Sequence, residues 1–92
     1  MNNQLLEKLS EILPAGSILL HEPLKKHTTF RIGGEADCFL EVEETKQLQQ
    51  VLALLTMYDE PYFLLGNGSN LLVSDQGYRG VILHLTGEFS NL

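Results

Sequence analysis

Tyr62-Phe63-Leu64-Leu65-Gly66-Asn67-Gly68-Ser69-Asn70-Leu71-Leu72-Val73 is an apolar run that breaks at two glycines spaced i, i+2 and resumes as a second apolar run. It reads as a strand entering a turn. Both glycines can adopt backbone conformations closed to other residues, and successive N–H groups in such a turn can converge on a phosphate or pyrophosphate. The turn departs from the two commonest phosphate-binding patterns: Leu71 stands where the dinucleotide fingerprint needs its third glycine, and no Gly-Lys-Ser/Thr follows. What remains is Gly-x-Gly-Ser-Asn, whose donors are backbone amides, the Ser69 hydroxyl and the Asn70 amide, all neutral. A ligand and a plain interstrand turn explain five such residues equally well.

Upstream, Glu43-Glu44-Thr45 precedes Leu48, Val51, Leu52, Leu55 and Tyr58, spaced i, i+3, i+4, i+7, i+10. This predicts a helix of about 14 residues with its N-cap and favourable acidic charge at the start, ended by Asp59-Glu60-Pro61. The carboxylates thus have a structural explanation and no catalytic role. The run 37–42 before the helix is β-rich, with Cys38, Leu40 and Val42 on one face and Phe39 and Glu41 on the other. Strand, helix, strand in that order predicts parallel pairing of 37–42 with 62–65, which sets the glycine turn at the carboxyl end of a parallel strand, where open α/β sheets take ligands.

Residues 28–32 and 37–42 flank Gly33-Gly34-Glu35-Ala36, the pattern of a hairpin closed by a glycine turn. The glycine pair could instead mark close approach of a ligand, turn geometry being the plainer account. Near the N-terminus, Leu5, Leu6, Leu9, Ile12 and Leu13 share one face of a helix over about residues 3–13, ended by Pro14 and Gly16. Residues 17–24 read as an extended connector, since Pro23 limits regular pairing. Downstream, residues 74–77 form a turn by composition, 81–85 a β-branched strand, and the tail from Thr86 carries no predicted element. The fold class is therefore α/β (α+β): a small mixed sheet with a glycine-turn hairpin and two helices, in one domain over 1–92.

With 43% hydrophobic and 20% charged residues the chain should fold, and its net charge of −6 argues against a nucleic-acid or anionic-membrane partner. The basic island Lys25-Lys26-His27, with Arg31 nearby, reads as a solvated surface. No charged start followed by an apolar run marks a signal peptide, and no stretch approaches the roughly 18 to 20 apolar residues of a membrane span. Cys38, the lone cysteine, reads as a small buried hydrophobe compatible with a reducing cytoplasm. His21, His27 and His84 show no metal-ligand spacing, so no metal site is expected, and His84 reads as a sheet residue. Ser69 has no triad partner in order. Arg79 reads as a solvated arginine and Asp75 as a turn residue.

Two blocks, Thr28 to Asp37 and Leu65 to Ile82, separated by one helix, resemble the N-terminal part of the UDP-N-acetylenolpyruvoylglucosamine reductases. The resemblance covers about residues 24–85. It implies the first subdomain of a vanillyl-alcohol-oxidase-type FAD-binding fold, with Gly66, Asn67, Gly68, Ser69, Asn70 and Leu71 lining the FAD pyrophosphate and Ile32 and Gly33 beside the cofactor. It also implies a cytoplasmic oxidoreductase of peptidoglycan synthesis that uses NADPH and a UDP-sugar substrate. The family's proton donor, its enolate-stabilising residues, its second flavin subdomain and its substrate domain find no counterpart in this chain, so no catalytic residue is assigned. The chain alone is expected to lack reductase activity. The alternative expectation is a stand-alone nucleotide-binding or self-associating module that kept the fold without the chemistry.

Overall fold

The computed structural model describes residues 2–24, 34–66 and 77–87. Helix α1, Asn3–Ile12, begins where the Asn2 side chain accepts from the backbone N–H groups of Gln4 and Leu5 at 2.7 and 3.3 Å. These two bonds satisfy donors that the first turn of a helix otherwise leaves open. The apolar stripe buries Leu5, Leu9 and Leu13. After the 3-10 turn Ala15–Ser17 comes strand β1, Ile18–Pro23, and then β2, Glu35–Val42. Helix α2, Thr45–Met57, leads to strands β3, Tyr62–Leu65, and β4, Tyr78–Leu85.

The four strands form one mixed sheet in the order β1-β2-β4-β3, with β1 antiparallel to β2 and the other neighbours parallel. Three expectations change here. The stretch read as a connector is an edge strand, pairing Ile18 with Leu40 through Pro23 with Glu35. An edge tolerates Pro23, because a missing donor there costs little when one side of the strand has no partner. Second, β2 has both sides occupied, by β1, its antiparallel neighbour, and by β4; the hairpin expected of residues 28–32, with Gly33, lies outside the described residues. A backbone bond from Leu24 N–H to the Gly34 carbonyl, 2.9 Å, joins the ends of β1 and β2. Third, β2 and β3 do run parallel, but β4 lies between them.

That insertion needs room, and glycine supplies it. Ala36 pairs with Tyr78 while Cys38 pairs with Val81, so one extra residue is accommodated on β4. Gly80 sits in this bulge with φ +152°, and a Cβ there would come within 2.6 Å of the Pro61 carbonyl oxygen. The same oxygen accepts from Val81 N–H at 2.9 Å, fixing the start of β3 against β4.

Both helices pack on one face of the sheet. There Cys38, Leu40, Val42, Val81 and Leu83 meet Leu5, Leu9, Leu13, Val51 and Leu55 in the main core. The other face carries a second, smaller core of Leu24, Ala36, Phe39, Leu65 and Ile82. Phe39, which the strand pattern set opposite the apolar side, is fully buried in it.

Candidate functional site

The carboxyl ends of β2, β4 and β3 form the edge at which the sequence sets a ligand. Gly66 follows Leu65 there, at the end of a parallel strand as expected. Of the other residues assigned to the cofactor, Asn67, Gly68, Ser69, Asn70, Leu71, Ile32 and Gly33 lie outside the described residues, as does Asp75.

The structure adds side chains that the sequence did not connect. The register matches His84 with Glu41 on one side and with Leu65 on the other. In-register residues of neighbouring strands project to the same face, so these three make one row on the helix-free face. His84 Nδ1 lies 3.7 Å from Glu41 Oε1, and its ring meets Phe39 at a centroid distance of 5.7 Å and a 54° tilt. The two polar side chains are 23% and 35% exposed, so the pair is neither sealed nor fully in water. Just beyond, Thr86 N–H donates to the Val42 carbonyl at 2.9 Å, while its Oγ1 is buried without a hydrogen-bond partner. Sequence reasoning missed this row because it joined β2 to β3 directly; only with β4 between them do Glu41 and His84 become neighbours.

Helix α2 also starts at this edge, but its N-terminus is already satisfied. The Gln47 side chain accepts from Glu43 N–H and Glu44 N–H, 3.1 Å each, in a capping box, and both flanking carboxylates repel an anion. Glu43 and the N-cap Glu44, which precede the helix, are therefore structural. Arg79 belongs to the opposite end of β4, is 87% exposed, and lies 3.7 Å from Asp37. Two surface grooves also lie away from the carboxyl edge: one of about 330 Å³ between the helices, beside Met57, and one of about 290 Å³ beside His21 and Asp37. Cys38 is fully buried; burial, reinforced by the charges of Glu60 and Asp37, pushes its thiol up to about 12. A thiol held protonated is a poor nucleophile. Among the described residues no group of three or more His, Cys, Asp or Glu is gathered for a metal, and no helix is long and apolar enough to cross a membrane.

The described part of this edge therefore offers the strand end at Gly66 and a braced imidazole, with the buried Thr86 hydroxyl behind them. Such a set can bind and orient an anionic or hydroxylated ligand; it contains no nucleophile and base in contact. No family model matches the chain. Among curated proteins it is 46% identical over 82 residues to the UDP-N-acetylenolpyruvoylglucosamine reductase of Caldanaerobacter subterraneus subsp. tengcongensis, covering 89% of this chain and 27% of that protein. It is 47% identical over 87 residues to UDP-N-acetylenolpyruvoylglucosamine reductase 2 of Symbiobacterium thermophilum, covering 94% and 28%. With the reductase of Clostridioides difficile the identity is 42% over 92 residues, covering 99% and 30%. The chain thus spans less than a third of the length of these relatives.

Proposed function

The chain belongs to the UDP-N-acetylenolpyruvoylglucosamine reductase family over the residues it spans, and on that premise we propose that it is a flavin-holding part of such an oxidoreductase. The supporting observation is the position of Gly66, at the carboxyl end of a parallel strand with an unpartnered Thr86 hydroxyl at the same edge. A dinucleotide fits that chemistry: a glycine turn at a strand end offers backbone donors to a pyrophosphate.

In this reading the turn from Gly66 to Leu71 takes the FAD pyrophosphate, and Ile32 and Gly33 lie beside the cofactor, as in the first subdomain of a vanillyl-alcohol-oxidase-type fold. FAD, when bound, supplies the hydride transfer, with NADPH as reductant and UDP-N-acetylglucosamine enolpyruvate as the substrate reduced for peptidoglycan synthesis in the cytoplasm. This chain's residues bind and orient; none of them supplies the proton. The chain alone is accordingly inactive, in keeping with the small share of its relatives that it spans.

The test is a titration of the purified chain with FAD, followed by flavin fluorescence and by the absorbance band. Saturable binding that Gly68→Val abolishes is the expected outcome; no binding, or binding indifferent to Gly68→Val, rejects the assignment. In parallel, substrate-dependent NADPH oxidation by the chain should be absent.

A second reading, a self-associating module, is favoured by one observation. Tyr62, Phe63 and Leu64 are 43%, 46% and 46% exposed on a strand that forms the edge of the sheet. Among the described residues β3 ends the sheet, and large apolar side chains exposed on both faces of such a strand favour pairing with another chain.

A further inference from the structure

Among the described residues β3 pairs with β4 alone, so one of its sides is open. The pairing fixes which backbone groups face that side. Val81 N–H donates to the Pro61 carbonyl at 2.9 Å, and the polar groups of successive strand residues point to alternate sides. Pro61, Phe63 and Leu65 therefore turn theirs towards β4, while Tyr62 and Leu64 each turn an N–H and a carbonyl outwards. Side chains alternate between the faces in the same stretch. The register aligns Tyr62 with Val81 and Leu64 with Leu83 on the helix-covered face, and Phe63 with Ile82 on the other. All three are between 43% and 46% exposed. The strand, Tyr-Phe-Leu-Leu, also lacks the charges with which natural sheets discourage edge pairing.

Resting on the reading of the chain as a self-associating module, we infer that this edge takes β3 of a second copy, paired antiparallel about a two-fold axis through Phe63. Symmetry and alternation leave few registers. A two-fold axis normal to the sheet keeps each face on its own side, so odd-numbered residues oppose odd ones and even oppose even. With Phe63 opposite the second copy's Phe63, each Tyr62 faces a Leu64, and every outward N–H of these residues meets an outward carbonyl. Moving the axis to Tyr62 sets Leu64 against Glu60, whose N–H is already held by the Leu55 carbonyl at 2.9 Å. Moving it to Leu64 sets Tyr62 against Gly66, which has no side chain to cover it, and Phe63 against the buried Leu65. Each copy carries a net charge of −6. In the Phe63 register, however, the two Glu60 residues stand about 20 Å apart along the joint, beyond the screening length of about 8 Å at physiological ionic strength. The three side chains expose on the order of 300 Å² per copy, well below the roughly 800 Å² each partner gives to a standard interface, so the dimer is of the weak, transient class.

Cysteine cross-linking reads this register directly. Facing Cα atoms of an antiparallel pair are about 4.5–5.5 Å apart, within reach of a disulfide, whereas diagonal neighbours at about 7–8 Å are too far without backbone movement. The native Cys38 is fully buried and serves as the silent background. In concentrated solution with a mild oxidant, Phe63→Cys should form covalent dimers by itself. Tyr62→Cys and Leu64→Cys should form few alone and match the Phe63→Cys yield when mixed. Sedimentation velocity of the unsubstituted chain up to about 1 mM should show a dimer fraction that rises with concentration and that Phe63→Lys removes. Dimers that cross-link equally through all three cysteine variants, or through none, keep self-association and overturn this register. A chain that stays monomeric throughout, with no cross-link through Phe63→Cys, overturns both and leaves the edge to a different occupant.

Discussion

Gly77 has φ +84°, and a Cβ on it would overlap the backbone carbonyl oxygen and nitrogen of Glu35. Neither neighbour is the end of a flexible side chain, so the backbone itself would have to move. Gly77→Ala should cost about 2–4 kcal/mol of stability, read as a fall in the urea midpoint with little change in slope. Cys38 shows burial acting on charge. Its folded thiol is held at about 12 against an ordinary 9.0, so above pH 9 the unfolded chain releases a proton that the folded one keeps. Its contribution is complete below pH 9 and is lost as pH rises towards about 12. Tyr78, also raised by burial, acts in the same direction, which makes the difference from Cys38→Ala the informative quantity. The urea midpoint should fall between pH 9 and 11, and fall less steeply in Cys38→Ala. Iodoacetamide at pH 8 should label Cys38 in urea and leave it untouched in buffer.

Elements differ in how much of them a sequence carries. Helix α2 was legible because its signals are local: a capping box at Glu44 and Gln47, and apolar residues at helical spacing as far as Leu55. Gln47→Ala removes the acceptor for two backbone donors and should destabilise the chain by about 1 kcal/mol, measured by thermal unfolding. Strand β1 was not legible, since Pro23 argues against pairing unless one already knows that the strand lies at an edge. His21 hides it further: its φ of +52° is rare for a residue with a side chain, and it falls between the paired positions Leu20 and Glu22. At the opposite edge, β3 predicts behaviour as well as form. If its exposed Tyr62, Phe63 and Leu64 drive association, sedimentation velocity should detect concentration-dependent dimers that Phe63→Lys removes, because a charge on an open edge opposes pairing.

At the scale of the whole molecule, composition and strand-helix-strand order were enough for a mixed sheet with two helices; that both helices share one side was not legible. Nor was adjacency. Whether β2 touches β3 or is separated from it depends on a strand some 16 residues further along, and no local pattern in residues 37–65 encodes that gap. The candidate site was legible as far as Gly66 at a strand end, and its partner row was not, because Glu41 and His84 meet only through β4. Phe39 lies on the face that alternation assigns it, opposite Cys38, Leu40 and Val42, but only the assembled sheet makes that face a second core.

The middle position of β4 also bears on how the chain is made. A ribosome delivers β2 and β3 well before residues 78–85, yet neither strand has its parallel neighbour until β4 arrives between them. The parallel half of the sheet is therefore assembled only after residues 78–85 have been made, from contacts distant in sequence, which is the slow regime of folding. A nascent chain halted at Gly77 should be digested by protease as readily as an unfolded one, and a chain extended through Leu85 should resist. Until then, Tyr62 to Leu65 is a sticky strand waiting for its centre, and the interval of greatest aggregation risk is set by the time taken to translate about twenty residues.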